Sequence, residues 1–413
     1  MRRQSLWIVT SPATAALGTT ATYADHVDER QVQRKFKNFY LDRQYADVPQ
    51  NNWGSWSQAV TLDAKSGYQD VGAGVQVGAD LLVQHALKLN GRDKNADWVL
   101  PHDGEKSRDH FGKVGATLKV KVAETELKVG ELLPVSPVLV FDPSRQLLTT
   151  YSGAWLESKD MKDTKLTAAY IKGINARYDN QFQDLSLFPN NDPNTAKAAD
   201  GMYLAGIDHQ LNKEIGASYW YADVKDIYQQ HYLGLNYTTN FGEKTKLSSY
   251  ARYFDHSESG DQLYGTIDNQ AVSLGAKINH GAHTVGLGYQ QMLGDSPFPT
   301  LAGWVPQPYL VNWGVATFTN ADEKSWGLTY GYDFSALGAK GLNATAVYMM
   351  GQDATFKGLK NQDSDELNVI VNYTVPEGQF KGLGVQAMYI DANFDYKSDL
   401  KEYRVATTYS YKF

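Results

Sequence analysis

The final eleven residues alternate without a break. Tyr403, Val405, Thr407, Tyr409, Tyr411 and Phe413 fall on one face of an extended strand. Arg404, Ala406, Thr408, Ser410 and Lys412 fall on the other. Strand side chains have period two, so one face is largely aromatic and apolar and its reverse is polar. Two structures carry such a strand: a lipid-facing closing strand of a membrane barrel, and a half-buried end strand of a soluble sandwich. The same alternation recurs upstream. Trp326, Leu328, Tyr330, Tyr332 and Phe334 oppose Ser325, Gly327, Thr329, Gly331 and Asp333. Val114, Ala116, Leu118 and Val120 oppose Lys113, Gly115, Thr117, Lys119 and Lys121. Leu367, Val369, Val371 and Tyr373 oppose Glu366, Asn368, Ile370 and Asn372. Second faces made of small and polar residues suit a wall that lines water.

About eighteen such segments occur, each near the length of a tilted membrane strand. They lie at 34–44, 55–66, 70–85, 111–121, 123–132, 149–158, 164–174, 199–208, 213–223, 228–238, 244–254, 267–279, 282–292, 324–334, 341–350, 364–375, 382–391 and 402–413. Short connections such as 279–281, 337–340 and 376–379 interleave with long ones at 86–110, 133–148, 175–198, 255–266, 292–323 and 351–363. A sandwich has no reason to keep that asymmetry over so many strands, whereas outer-membrane barrels have short periplasmic turns and long extracellular loops. The predicted fold is therefore all-β: one transmembrane antiparallel β-barrel of about eighteen strands over residues 25–413.

Composition agrees. A chain of 413 residues exceeds one ordinary soluble core, but a barrel grows with its strand number. No run is apolar enough for a spanning helix. The 27 Tyr and 9 Trp suit aromatic girdles at the two membrane interfaces, and the 36 Gly suit turns and close approach. With no cysteine, a disulfide framework, a thiol nucleophile and a thiolate metal site are excluded. A net charge of −7 argues against nucleic acid as a partner. At the N-terminus, Arg2 and Arg3 precede an apolar stretch and an Ala/Thr-rich run, with no acid before Asp25. Residues 1–24 then read as a signal peptide cleaved near Ala21 or Ala24, or as a disordered start.

Several segments, in order along the chain, resemble the OprD family of substrate-specific outer-membrane porins. They are Thr125 to Val140 (TELKVGELLPVSPVLV), Asp142 to Arg145 (DPSR), Ile267 to Ala271 (IDNQA), Gly281 to Asp295 (GAHTVGLGYQQMLGD), Pro308 to Asn312 (PYLVN) and Tyr332 to Gly338 (YDFSALG). The resemblance implies an outer-membrane barrel of eighteen strands with one pore per chain, association as trimers, and uptake of small, carboxylate-bearing solutes. It also implies inward-folded loops and a ladder of Arg and Lys on one lumen wall. Such a row in a low-dielectric tube focuses field lines and offers an anion a series of shallow sites.

Residue by residue, Lys37 and Arg43 match basic positions of the family's opening strand. Lys119, Lys121 and Lys128 fall on the face opposite Leu118, Val120, Leu127 and Val129. Asp142 and Arg145 lie in the 133–148 loop, which by resemblance folds into the pore. Arg177 resembles a family arginine near the constriction. Arg252 opposes Ala251 and Tyr253, and Arg404 opposes Tyr403 and Val405. Any one of these has a bland alternative, a solvated lumen or rim charge. One departure stands out: where the family often has two inward arginines on the penultimate strand, this chain has Gln386 and Met388. That leaves room for neutral or zwitterionic solutes.

No histidine spacing matches a metal motif, and no nucleophile elbow or phosphate loop occurs. His280 and His283 are close in sequence but read as turn residues. The expected function is a passive diffusion pore without cofactor, set in outer-membrane lipid and lipopolysaccharide. Phe413 fits a terminal signal for the barrel-assembly machinery. A barrel enzyme with a rim-clustered Ser-His or Asp-His set and a plugged surface protein are the competing classes.

Overall fold

The computed structural model describes residues 30–92, 97–103, 106–188, 197–303, 307–311 and 314–412. The signal-peptide expectation for 1–24 and the assembly signal at Phe413 lie outside the described residues. Eighteen long strands form the barrel wall: β1 Gln31–Tyr45, β2 Trp53–Lys65, β3 Val75–Gly91, β4 His110–Val122, β5 Thr125–Leu132, β6 Thr150–Ser158, β7 Thr164–Asn175, β8 Met202–Gln210 and β9 Ile215–Val224. The wall continues with β10 Tyr228–Phe241, β11 Thr245–Glu258, β12 Asp268–His280, β13 His283–Leu293, β14 Lys324–Asp333, β15 Leu342–Phe356, β16 Leu359–Thr374, β17 Gly384–Phe394 and β18 Leu400–Lys412. Each pairs antiparallel with its sequence neighbours, and β1 pairs with β18, with Lys37 opposite Thr408 and Leu41 opposite Arg404. That last ladder closes the sheet, so no edge is left to seek hydrogen bonds in lipid. A short strand, Gln69–Gly72, folds onto the start of β3. A two-residue ribbon, His102–Asp103 with Lys106–Ser107, sits in the loop after β3.

The alternation predicts which side chains meet lipid. Val114, Leu118, Leu287 and Leu328 are exposed on the outer face, Val114 at 72%. Their neighbours Lys113, Lys119 and Ser325 are buried inside. The packed core is thus in the lumen. It is built from inward aromatics of the wall, such as Tyr151, Trp220, Tyr232 and Phe254, against loop residues Val138, Leu139, Leu301 and Leu310.

One expected loop is corrected. Residues 351–363 are not an open loop but the tip of the β15–β16 hairpin, with Ala354 opposite Gln362 and Phe356 opposite Leu359. Lys357 and Gly358 both take positive φ, as a tight two-residue turn requires. The ladder continues beyond the membrane, where an outer face no longer needs apolar side chains, so the alternation fades while the pairing persists. For the same reason β3 runs on to Gly91 and β11 to Glu258, past the predicted limits at 85 and 254.

A cation at mid-height on the lipid face should destabilise the barrel. Leu328→Arg is expected to cost about 2–4 kcal/mol, and the same change at Leu337, in a turn, close to nothing. Denaturant unfolding of the micelle-refolded protein measures both.

Candidate functional site

Two of the loops that enter the lumen are marked by the side chains that receive them. The loop between Leu132 and Thr150 touches walls far apart around the barrel. From β1, the Lys37 ammonium donates to the carbonyls of Arg145 and, at 3.4 Å, Pro143. The Gln146 amide returns a bond to the Lys37 carbonyl at 3.1 Å. From β3, Gln84 accepts from the Leu148 N–H at 3.0 Å. From β10, Gln230 donates to the Val138 carbonyl at 3.4 Å. A segment bonded to both β1 and β10 crosses the bore. The loop between Leu293 and Lys324 meets it there, with Gln307 donating to the Pro137 carbonyl at 2.8 Å. Its own anchors are Arg252, which donates to the Tyr309 carbonyl at 2.8 Å, and Gln290, which donates to the Phe318 carbonyl at 2.6 Å. Gln290 also accepts from the Val311 N–H at 2.7 Å.

Charged groups gather where the crossing loop meets β1 and β18. The Asp142 carboxylate is fully buried and holds the Arg177 guanidinium at 2.5 Å and the Ser144 N–H at 2.7 Å. Burial alone would raise this carboxyl; Arg177 and Ser144 overcome it and hold it below its ordinary value. Arg145 is buried beside them and feels Arg404, Arg177, Glu402 and Asp142. Burial first, then the two neighbouring guanidinium groups, pulls it well below its ordinary value. Its Nη1 reaches only Ser144, and its Nε has no partner. The Nε of Arg177 is unpartnered as well. Across β1 and β18, Glu402 lies between Arg43, at 2.5 Å, and Arg404.

Of the ten residues singled out from sequence, six converge here: Lys37, Arg43, Asp142, Arg145, Arg177 and Arg404. The other four do not. Lys119, Lys121 and Lys128 do point inward, but near the tight turn between β4 and β5, each beside an acid: Asp80 at 2.6 Å, Glu124 at 3.7 Å and Glu126 at 2.9 Å. Arg252 lies on β11, stacked over Tyr250 and Tyr309, where it holds a loop. The expected single ladder is thus a cluster on the β1–β18 side, a paired group at the β4–β5 end and a separate anchor. Gln386 and Met388 face inward as expected, Gln386 bonded to Asn372 at 2.8 Å and Met388 beside Arg404.

Sequence reasoning passed over Glu402, Glu366 and Lys113. Glu402 shares the inward parity of Arg404, and that signal was available. Glu366 and Lys113 were placed on inward faces, yet nothing in the pattern marked them as loop anchors. Lys113 donates to the Leu148 carbonyl at 3.0 Å and to those of Asn175 and Ala176, joining two loops.

A closed barrel narrowed by inward loops, with cations on one side of the bore, defines a transmembrane channel of the porin class. The sequence signature of the outer membrane porin, OprD family, matches residues 24–413, and the chain belongs to that family. Among relatives, it is 29% identical to the porin-like protein GalP of Pseudomonas putida, covering 90% of this chain and 89% of that one. It is 27% identical to Porin D of Pseudomonas aeruginosa, covering 96% and 94%. Its fold matches OccAB4 of Acinetobacter baumannii at 32% identity and a TM-score of 0.89, over 94% of this chain and 99% of that one. It also matches the structure of Pseudomonas aeruginosa OpdK with vanillate at 28% identity and a TM-score of 0.88, over 93% and 99%. The relatives are channels rather than enzymes, and the protein is placed in the outer membrane.

The second loop has a titratable root. Glu323, fully buried just before β14, accepts from the Asn320 N–H and side-chain amide, both at 2.9 Å, through one oxygen only. Burial raises its carboxyl to about 7, against the pull of Asn320 and Lys397. The folded state then binds this proton more tightly than the unfolded chain. Its stabilising contribution is full below the ordinary value of 4.5 and is lost as pH rises through about 7. The melting temperature is expected to fall between about pH 5 and about pH 7, and to fall less in Glu323→Gln. A wild-type melting temperature that rises over that range would contradict the assignment.

Proposed function

We propose that this outer-membrane porin passes small carboxylate-bearing solutes, drawn past the inward loops by Lys37, Arg145, Arg177 and Arg404. The observation that carries this reading is the cation cluster at the crossing loop, where, among the described residues, Lys37, Arg145, Arg177 and Arg404 gather around only two acids, Asp142 and Glu402. Guanidinium groups bind carboxylates through paired N–H donors, and several adjacent sites let an anion move by exchange rather than by release into an empty bore. The cluster also holds two acids, but Asp142 and Glu402 are fully buried and already bonded to Arg177, Arg43 and Arg404. They offer nothing to a solute's ammonium group, which favours simple organic acids over zwitterions. The vanillate held by the OpdK relative is itself a carboxylate. Gln386 and Met388 remove two positions where a longer ladder would run, and this limits the cluster to one end of the path. Lys119, Lys121 and Lys128 form a second, weaker station, because each has an acid beside it. Trimer formation, contact with lipopolysaccharide and insertion through an assembly machinery that reads Phe413 belong to this proposal too.

Planar-bilayer recording and liposome uptake with a panel of organic acids, amino acids and neutral sugars test it. Arg145→Ala is expected to lower organic-acid uptake about tenfold at low salt and much less at high salt, where screening shortens the reach of the cluster. Arg177→Ala should cost more, since it also uncovers the Asp142 carboxylate. Equal uptake of acids and neutral sugars by the wild type would sink the carboxylate reading and leave the porin assignment intact.

A further inference from the structure

One buried carboxylate in the lumen wall has no part in the cation cluster. Glu366, on β16, is fully buried, and its two oxygens accept four hydrogen bonds. Oε1 takes the Gly314 N–H at 2.9 Å and the Asn368 amide at 2.7 Å. Oε2 takes the Val315 N–H at 2.8 Å and the Ala316 N–H at 2.6 Å. Three consecutive backbone donors of the second inward loop thus converge on one wall carboxylate. The Gly314 carbonyl faces the other way and accepts from Arg404 Nη2 at 3.2 Å. A single peptide segment therefore links Glu366 to a cation of the cluster.

The fit leaves no slack. A Cβ at position 314 would stand 2.5 Å from both Glu366 Oε1 and Asn368 Oδ1 and 2.9 Å from Ile390. A Cβ is not tolerated within about 3 Å of another heavy atom, so a side chain here must displace the Glu366 and Asn368 side-chain ends or the loop, and either breaks the contact. Charge-assisted bonds from backbone N–H groups are roughly twice as strong as neutral ones, and only a carboxylate offers acceptors on both oxygens. A glutamine of the same shape would point an N–H₂ at one set of donors.

The geometry points to Glu366 as the positioning residue of the constriction: its carboxylate latches Gly314–Ala316 to the wall, and the latched Gly314 carbonyl in turn aims Arg404 at the passing solute. Glu366 touches no solute. It acts through the loop, setting the aperture and the direction of one guanidinium group. The aperture half of this inference stands on the porin fold alone, and the Arg404 half rests on the anion-selective reading above.

Electrostatics supplies a sign that separates the latch from a simple charge effect. Removing a negative charge from the lumen wall would, by itself, make the pore more anion-selective. Loss of the latch frees Arg404 from the Gly314 carbonyl and should make it less so.

The test is single-channel recording of the full chain as wild type, Glu366→Gln and Gly314→Ala, with reversal potentials in a salt gradient and folding checked by heat-modifiable gel mobility. Both variants are expected to raise conductance about twofold, to flicker, and to lose anion preference together. Conductance and reversal potential equal to wild type in folded Glu366→Gln, or increased anion preference in it, would overturn the latch. Should Glu366→Gln fail to fold, Gly314→Ala decides, because it crowds the same carboxylate contact without changing any charge. A wild type with no anion preference would defeat the carboxylate proposal alone; the conductance change would still decide the latch.

Discussion

Everything in this molecule depends on the backbone closing its own hydrogen bonds in a medium that offers none. Eighteen strands paired only with sequence neighbours leave two edges, and the ladder from Gln33–Lys412 to Tyr45–Leu400 joins them. Once closed, the sheet has two environments, lipid outside and water or protein inside, and each strand must serve both with alternate residues. The inverted distribution follows: aliphatic side chains are exposed and lysines are buried. The diameter of the barrel is set by strand number, so the loops are free to specialise in narrowing the bore.

That freedom creates a second problem. A loop that enters the lumen brings backbone N–H and C=O groups into a confined space where water cannot be counted on to satisfy them. The wall answers with polar side chains at inward positions. Lys37, Lys113, Gln230, Arg252 and Arg404 donate to loop carbonyls, while Gln84, Gln290 and Glu366 accept from loop N–H groups. The cations of the lumen therefore act twice. They hold the loops in place through some donors and leave a positive potential for whatever passes.

Much of this was legible in the alternation, because lipid enforces it. The eighteen segments, the closing strand, the inward face of Lys119 and the outward face of Leu328 all follow from period two. The hairpin at 351–363 was misread because the periodic signal reports lipid contact and not pairing. Above the membrane Ala354 with Gln362 and Phe356 with Leu359 keep the pairing, across bulges, without the pattern. The candidate site was half legible. Parity placed Arg404 inside, and a resemblance pointed to Lys37 and Arg43 on the opening strand, to Arg145 in an inward loop and to Arg177 near a constriction. Neither could separate the six residues that converge from the four that do not.

The sequence by itself determined an all-β membrane barrel, its strand number, the side of the wall on which each charge stands, and membership of a porin family. Tertiary structure alone decided which charges meet. Asp142 reaches Arg177 from 35 positions away and Glu366 reaches Ala316 from 50, across loops whose paths no local period encodes. A strand's facing is a local property of the backbone, fixed by the pleat. A constriction is made where distant loops fall against a curved wall, and that depends on the closed barrel that brings them together.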